Sequence, residues 1–130
     1  MAKVGVRYIV DNVDAALAFY SEQLGFRVEM HPAPQFGMAS LGDLQLFFNQ
    51  PGAGAGGAAM PDGTLPAPGG WNRIRIEVDD LPATVERLRR AGARFRNDIV
   101  TGIGAGGQQI LVEDPAGNPV ELYQAPPQSS

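Results

Sequence analysis

Val10-Asp-Asn-Val13 closes one alternating apolar run and opens a helical one, and Val78-Asp-Asp-Leu81 does the same at an offset of 68. Upstream of each, residues 3–10 and Trp71–Val78 are rich in β-branched side chains and predict strands. Downstream of the first, Asp11 and Asn12 can cap a helix over residues 13–24, with apolar Val13, Leu17, Tyr20 and Leu24 spaced by three and four. Downstream of the second, Asp79 and Asp80 are capping candidates, and Pro82 suits the first turn of a helix running to Ala91. Gly25 and Gly92 follow as C-cap glycines, with Leu24-Gly25 and Ala91-Gly92 related by one residue less than the repeat offset. Three further strands complete each half: Phe26–Met30, Phe36–Leu41 and Leu44–Asn49, then Arg94–Val100, Gln108–Val112 and Val120–Gln124. Leu44-Gln-Leu-Phe47 aligns with Val120-Glu-Leu-Tyr123.

The chain therefore reads as an α+β protein built from two β-α-β-β-β modules, residues 3–50 and 71–125. A duplicated unit that cannot bury its sheet face alone should pack against its twin, giving one domain. Residues 51–70 hold seven glycines and four prolines, the composition of a linker or mobile flap.

Composition narrows the function classes. The 130 residues include no cysteine, which excludes a disulfide scaffold, a thiolate nucleophile, Cys-ligated zinc and iron–sulfur clusters. Ten basic residues against fourteen acidic ones give a net charge of −4, so no basic field invites nucleic acid. Arg87, Arg89, Arg90, Arg94 and Arg96 read as the solvated face of the second helix and its following strand. No apolar run is long enough to cross a bilayer, and the first residues lack a signal-peptide core, so a soluble cytoplasmic protein is expected. Gly52-x-Gly54-x-x-Gly57 and Gly102-x-Gly104-x-x-Gly107 match a dinucleotide fingerprint as strings. Neither joins a strand to a helix, so both read as loops.

Alternation divides each strand between two faces. Ile74, Ile76 and Val78 share one face, and Arg73, Arg75 and Glu77 the other. Val4, Val6, Tyr8 and Val10 similarly oppose Gly5, Arg7 and Ile9. Gln45 shares a face with Phe47, and Glu121 with Tyr123. These polar and aromatic groups are either the ordinary solvent side of antiparallel sheets or the lining of a hollow between two curved sheets. Phe47, Trp71 and Tyr123 are the aromatic pocket candidates, whereas Phe19 and Tyr20 suit the core or a dimer contact.

Val10-Asp-Asn-Val-Asp-Ala-Ala-Leu-Ala-Phe-Tyr20, Leu24-Gly-Phe26, Ile76-Glu-Val-Asp-Asp-Leu81 and Asp114-Pro-Ala-Gly-Asn-Pro-Val-Glu-Leu122 together resemble the vicinal oxygen chelate superfamily. That superfamily groups glyoxalase I, bleomycin-resistance proteins and extradiol dioxygenases. The resemblance spans nearly everything outside residues 51–70. It implies an open eight-stranded cup made by the paired modules, commonly in a homodimer, with a divalent metal held by first and last strands in the enzymes. Carried onto this chain, the metal-ligand positions fall at Gly5, Gln45, Arg73 and Glu121. Glycine has no side chain and a guanidinium has no lone pair to give, so only Glu121 is an ordinary ligand. The one histidine, His31, lies beside Pro32 at the end of the second strand and reads as a solvated loop residue.

The expectation is thus a cup without metal or other cofactor, in which Arg73 and Glu121 pair across the vacated position. Such a protein would sequester a small organic molecule, as bleomycin-resistance proteins do, and so serve antibiotic resistance. Phe47, Tyr123 and Trp71 would stack on the ligand, while Arg7, Arg73, Arg75, Gln45 and Glu121 would orient it. The alternative is a lyase, isomerase or dioxygenase with an atypical site, in which Glu121 is the base and arginines stabilise an anion.

Overall fold

The computed structural model describes residues 4–103 and 106–127. Lys3, which begins the first predicted strand, and Gly104, in the second glycine string, lie outside them.

The chain divides into two compact units. In the first, β1 (Gly5–Ile9) is followed by α1 (Val13–Ala18), a π-helical turn (Phe19–Gln23), and then β2 (Arg27–Ala33), β3 (Phe36–Leu41) and β4 (Leu44–Asn49). The strands form one mixed sheet ordered β1-β4-β3-β2, with β1 parallel to β4 and the remaining pairs antiparallel. In the second unit, β5 (Arg75–Glu77), α2 (Leu81–Arg90), β6 (Arg94–Phe95), β7 (Val100–Ile103), β8 (Gly107–Glu113) and β9 (Pro119–Gln124) repeat the plan. Here β5 runs parallel to β9, β9 pairs with β8, and both β6 and β7 pair with β8.

Local chemistry sets these boundaries. Asn12 Oδ1 accepts the Ala15 amide at 3.0 Å, and Asp80 Oδ1 accepts that of Ala83 at 3.0 Å, so both helices begin where the repeated segment predicts. Gly25 and Gly92, at φ 78° and 86°, turn the chain out of the helical segments. The buried face carries Tyr8, Val10, Val13, Leu17, Leu46 and Phe48 in the first unit. Ile74, Leu81, Val85, Leu88, Ile110, Val112, Val120 and Leu122 form the second core. Tyr20 is fully buried, its ring centroid 5.1 Å from that of Phe48, 5.3 Å from Phe19 and 5.4 Å from Phe26, so these helix aromatics belong to the core.

Four predicted elements differ. The helix expected over residues 13–24 is α-helical only to Ala18 and continues as the π turn. The strand expected over Trp71–Val78 shortens to Arg75–Glu77: Glu121 N donates to Ile74 O at 3.0 Å, but two residues earlier Pro119 has no N–H to continue the ladder. The strand expected over Arg94–Val100 splits, because Asn97 Oδ1 takes the Leu111 amide at 2.9 Å in place of a backbone carbonyl. His31 lies within β2 rather than in a loop, with Nε2 3.4 Å from Asp14 Oδ1.

Residues 51–70 contain no strand or helix. Their start is a closed set of turns: Ala53 N donates to Gln50 O at 3.0 Å and Gly57 N to Ala53 O at 3.0 Å. Pro115–Asn118, in the turn between β8 and β9, belongs to the first unit although the repeat assigns it to the second module. Among the described residues, no helix is long and apolar enough to cross a membrane.

Candidate functional site

Each open sheet face carries guanidinium groups, and the two units use them differently. In the first unit, β1 alternates a buried face of Tyr8 and Val10 with an outer face of Gly5, Arg7 and Ile9. The parallel register sets Gly5 beside Gln45, Arg7 beside Phe47 and Ile9 beside Asn49. The Arg7 guanidinium lies 5.4 Å from the Phe47 ring centroid, and Arg7 Nη1 donates to Asn49 Oδ1. Asn49 is 4% exposed, and its Nδ2 donates in turn to Ala53 O at 3.3 Å. One amide thus ties the β1 arginine to the loop that follows β4.

That loop needs its glycines. A Cβ at Gly56 would collide with the Arg7 guanidinium and stand 2.7 Å from Asn49 Oδ1; one at Gly57 would collide with Gln50 O. The bare backbone leaves a cleft of about 500 Å³ lined by Arg7 and Asn49, by Ala33, Gln35 and Phe36 of the β2–β3 hairpin, and by residues 53–56. This volume falls within the range of small-molecule sites. Gln45 lies two residues before Phe47 on the same face and does not line the cleft.

In the second unit, Arg73 Nε and Nη2 both donate to Glu121 Oε1, at 3.1 and 2.9 Å. The two side chains are 29% and 15% exposed. Arg73 Nη1 also reaches Trp71 O at 3.3 Å. Arg75 stacks over Tyr123, with 4.2 Å between the guanidinium carbon and the ring centroid. The tyrosine ring lies against glycine backbone, since a Cβ at Gly107 would stand 2.7 Å from Tyr123 Cε1. Trp71 is 68% exposed, with the Arg96 guanidinium over its ring, the guanidinium carbon 4.7 Å from the centroid. Arg96 also donates to Glu113 Oε2 at 2.9 Å and Gly70 O at 2.6 Å, so it is tied into the second unit rather than part of a solvated basic face.

The structure therefore brings together Arg7 with Phe47, Arg73 with Glu121, and Arg75 with Tyr123. It also supplies Asn49 and Gln35, which the sequence does not single out, and residues 53–56, which lie in the segment whose composition predicts a linker or mobile flap. Asn49 was findable, because it continues the Gln45–Phe47 alternation. The packing of the loop against Arg7 and Asn49 was not, since it depends on backbone approach rather than on side chains. Away from this site, the Glu29 carboxyl is held below its ordinary range, chiefly by its hydrogen bond from Arg27 and then by that from Ser40.

The register also revises the repeat at the closing strands. Val10 N donates to Asn49 O, and Val78 N to Tyr123 O. Arg7 pairs with Phe47 as Arg75 pairs with Glu121. Phe47, rather than Gln45, is thus the counterpart of Glu121. Metal-ligand chemistry does not fit these positions. In the first unit, Phe47 Cε2 stands 2.5 Å from where a Gly5 Cβ would be, so the ring fills the place of the missing side chain. In the second, a fixed cation takes the single carboxylate. Among the described residues, no group of three or more His, Cys, Asp or Glu side chains is placed to hold a metal ion.

Two duplicated β-α-β units, each with a mixed sheet whose outer face carries paired polar and aromatic groups, define the glyoxalase-type fold. The family model for the Glyoxalase/Bleomycin resistance protein/Dioxygenase superfamily matches residues 4–122, and the chain belongs to that superfamily. It is 25% identical over 116 residues to the uncharacterized protein YwbC of Bacillus subtilis, covering 89% of this chain and 91% of that one. Its fold is similar to that of a lactoylglutathione lyase from Agrobacterium tumefaciens, with TM-score 0.73 and 20% identity over 95% of this chain and 93% of the other. A superfamily member from Sphaerobacter thermophilus gives TM-score 0.73 and 23% identity, covering 96% and 98%.

Proposed function

We propose that this chain is a metal-independent small-molecule-binding protein of the bleomycin-resistance type, which sequesters an organic ligand on the open faces of its sheets and acts in the cytoplasm as a homodimer. The observation that carries the reading is the Arg73–Glu121 pair. Glu121 is the one ordinary ligand at the positions used by metal-dependent relatives, and two N–H groups of a permanent cation meet its Oε1. A carboxylate so neutralised is a poor metal ligand and a poor general base. The same contact weighs against the alternative of a lyase, isomerase or dioxygenase using Glu121 as base. Sequestration needs only affinity, and the Arg7 cleft and the Arg75–Tyr123 stack offer polar and aromatic surface for it.

The test has two measurements. The purified chain is equilibrated with Zn²⁺, Ni²⁺ or Mn²⁺, dialysed, and assayed for retained metal; substoichiometric retention is expected. Native mass spectrometry of chain purified from its own cells is expected to find a co-purified organic molecule that denaturation releases unchanged. One metal ion retained per chain, or release of a converted product, would overturn the reading.

A further inference from the structure

We infer that the first-unit cleft is an anion-recognition site, in which the Arg7 guanidinium takes the carboxylate of a small organic acid. The inference rests on the reading of the chain as a small-molecule binder and names the chemical class of its ligand.

A guanidinium carries five N–H donors and is always charged. Arg7 spends one donor on Asn49 Oδ1 and lays its plane near the Phe47 ring. Among the described residues, no carboxylate lies within ion-pair distance of it. Arg27, Arg73, Arg89, Arg90, Arg94 and Arg96, by contrast, all have acidic partners within 4.0 Å, whereas Arg75 stacks on Tyr123 outside this cleft. The cleft lining includes no Asp or Glu, although the chain as a whole carries a net charge of −4. A lone positive charge in such a molecule is a local exception that favours an anion and disfavours a cation.

The guanidinium is also pre-oriented. Asn49, almost wholly buried, accepts from Arg7 while donating to Ala53 O, and Gly56 leaves room for the group only because it lacks a Cβ. Fixing the fork before the ligand arrives removes rotamer entropy from the binding cost. Two parallel N–H donors of a planar guanidinium match a carboxylate bidentately. Phe36 and the alanines at 33, 53 and 55 supply apolar surface for an organic body. Arg7 and the ligand's carboxylate form the contact; Asn49 is a positioning residue.

Benzoate and its neutral isostere benzamide are the probes, each titrated against the full chain by calorimetry, with Arg7→Gln and Arg90→Gln as variants. Benzoate is expected to bind at least about tenfold more tightly than benzamide, a ratio worth ~1.4 kcal/mol. Arg7→Gln should abolish that preference, whereas Arg90→Gln, on the outer face of α2, should preserve it. Two-dimensional NMR should show the Arg7 Nε–H resonance moving with benzoate and not with benzamide, a readout that does not depend on a variant folding. Equal affinity for the two probes, a preference that survives Arg7→Gln, or no benzoate binding at about 10 mM would overturn the inference. Equally tight binding of benzamide and benzoate would do so while leaving the small-molecule reading standing. Metal retention would remove that reading without touching the charge preference.

Discussion

Glu121 has two backbone duties and one side-chain duty. Its amide holds β9 to Ile74, its place in the ladder faces Arg75, and its carboxylate receives both Arg73 donors. At 15% exposure the carboxylate has lost most of its water, so the pair cannot be treated as a surface ion pair worth almost nothing. Removing one member strands the other. Glu121→Ala is expected to lower unfolding free energy by about 1–3 kcal/mol, read as a lower urea midpoint at unchanged m-value. Adding Arg73→Ala to that variant should cost little more, because the interaction is already gone. Equal, additive losses in the two single variants would show that the residues do not act as a pair. This contact was legible in the sequence, since family positions placed an arginine and a glutamate where ligands converge. The Arg7–Asn49–Ala53 chain was less so: alternation puts Arg7 on the outer face, but nothing in residue order says that a loop four residues past Asn49 folds back to it.

The helical elements show how a small irregularity in a repeat becomes a structural feature. Val13 to Gly25 spans one residue more than Leu81 to Gly92, and the π turn at Phe19–Gln23 absorbs the difference. It leaves Phe26 N bonded to Tyr20 O, six residues back, where Ala93 N in the second unit bonds to Leu88 O, five back. The offset change was visible in the sequence; its reading as a wider turn was not, because periodicity of three and four tolerates one extra residue. The caps were fully legible, and they make an element-scale prediction. Asp80 Oδ1 accepts the Ala83 amide while Gln124 Oε1 accepts that of Leu81 at 2.6 Å, so two side chains satisfy amides of the first turn of α2. Asp80→Ala should cost about 1 kcal/mol in chemical denaturation, and Asp80→Asn appreciably less. Equal losses for the two would mean that charge, rather than the hydrogen bond, caps the helix.

For the molecule as a whole, the repeat predicts two modules, residues 3–50 and 71–125, joined by residues 51–70, and the compact units divide at 69–70 while exchanging residues 115–118. Asp114-Pro-Ala-Gly-Asn118 reads as a turn belonging to the second module, and its sequence carries much of the family resemblance. Its residues 115–118 nevertheless form part of the first unit. Turn chemistry specifies the bend between β8 and β9, but not which unit the bend joins, since that depends on an acceptor 109 residues away and a donor 49 residues away. Asn118 makes the attachment: it is 5% exposed, its Nδ2 donates to Ile9 O at 2.8 Å, and its Oδ1 accepts from Gly69 N at 2.7 Å. The chain thus passes from one unit to the other at residues 69–70, returns at 114–115 and leaves again at 118–119, so no single cut separates two complete units. Asn118→Ala would leave the part-buried Ile9 carbonyl and Gly69 amide without this partner, at a combined cost of about 1–3 kcal/mol. Its loss should exceed that from Asp80→Ala, where the freed amide is exposed to water. The destabilisation should be felt by both units, because the turn is covalently part of β8 and β9 while bonded to β1. Hydrogen exchange at Val10 and at Val120 should therefore accelerate together in the variant; acceleration confined to Val10 would show that Asn118 stabilises the first unit alone.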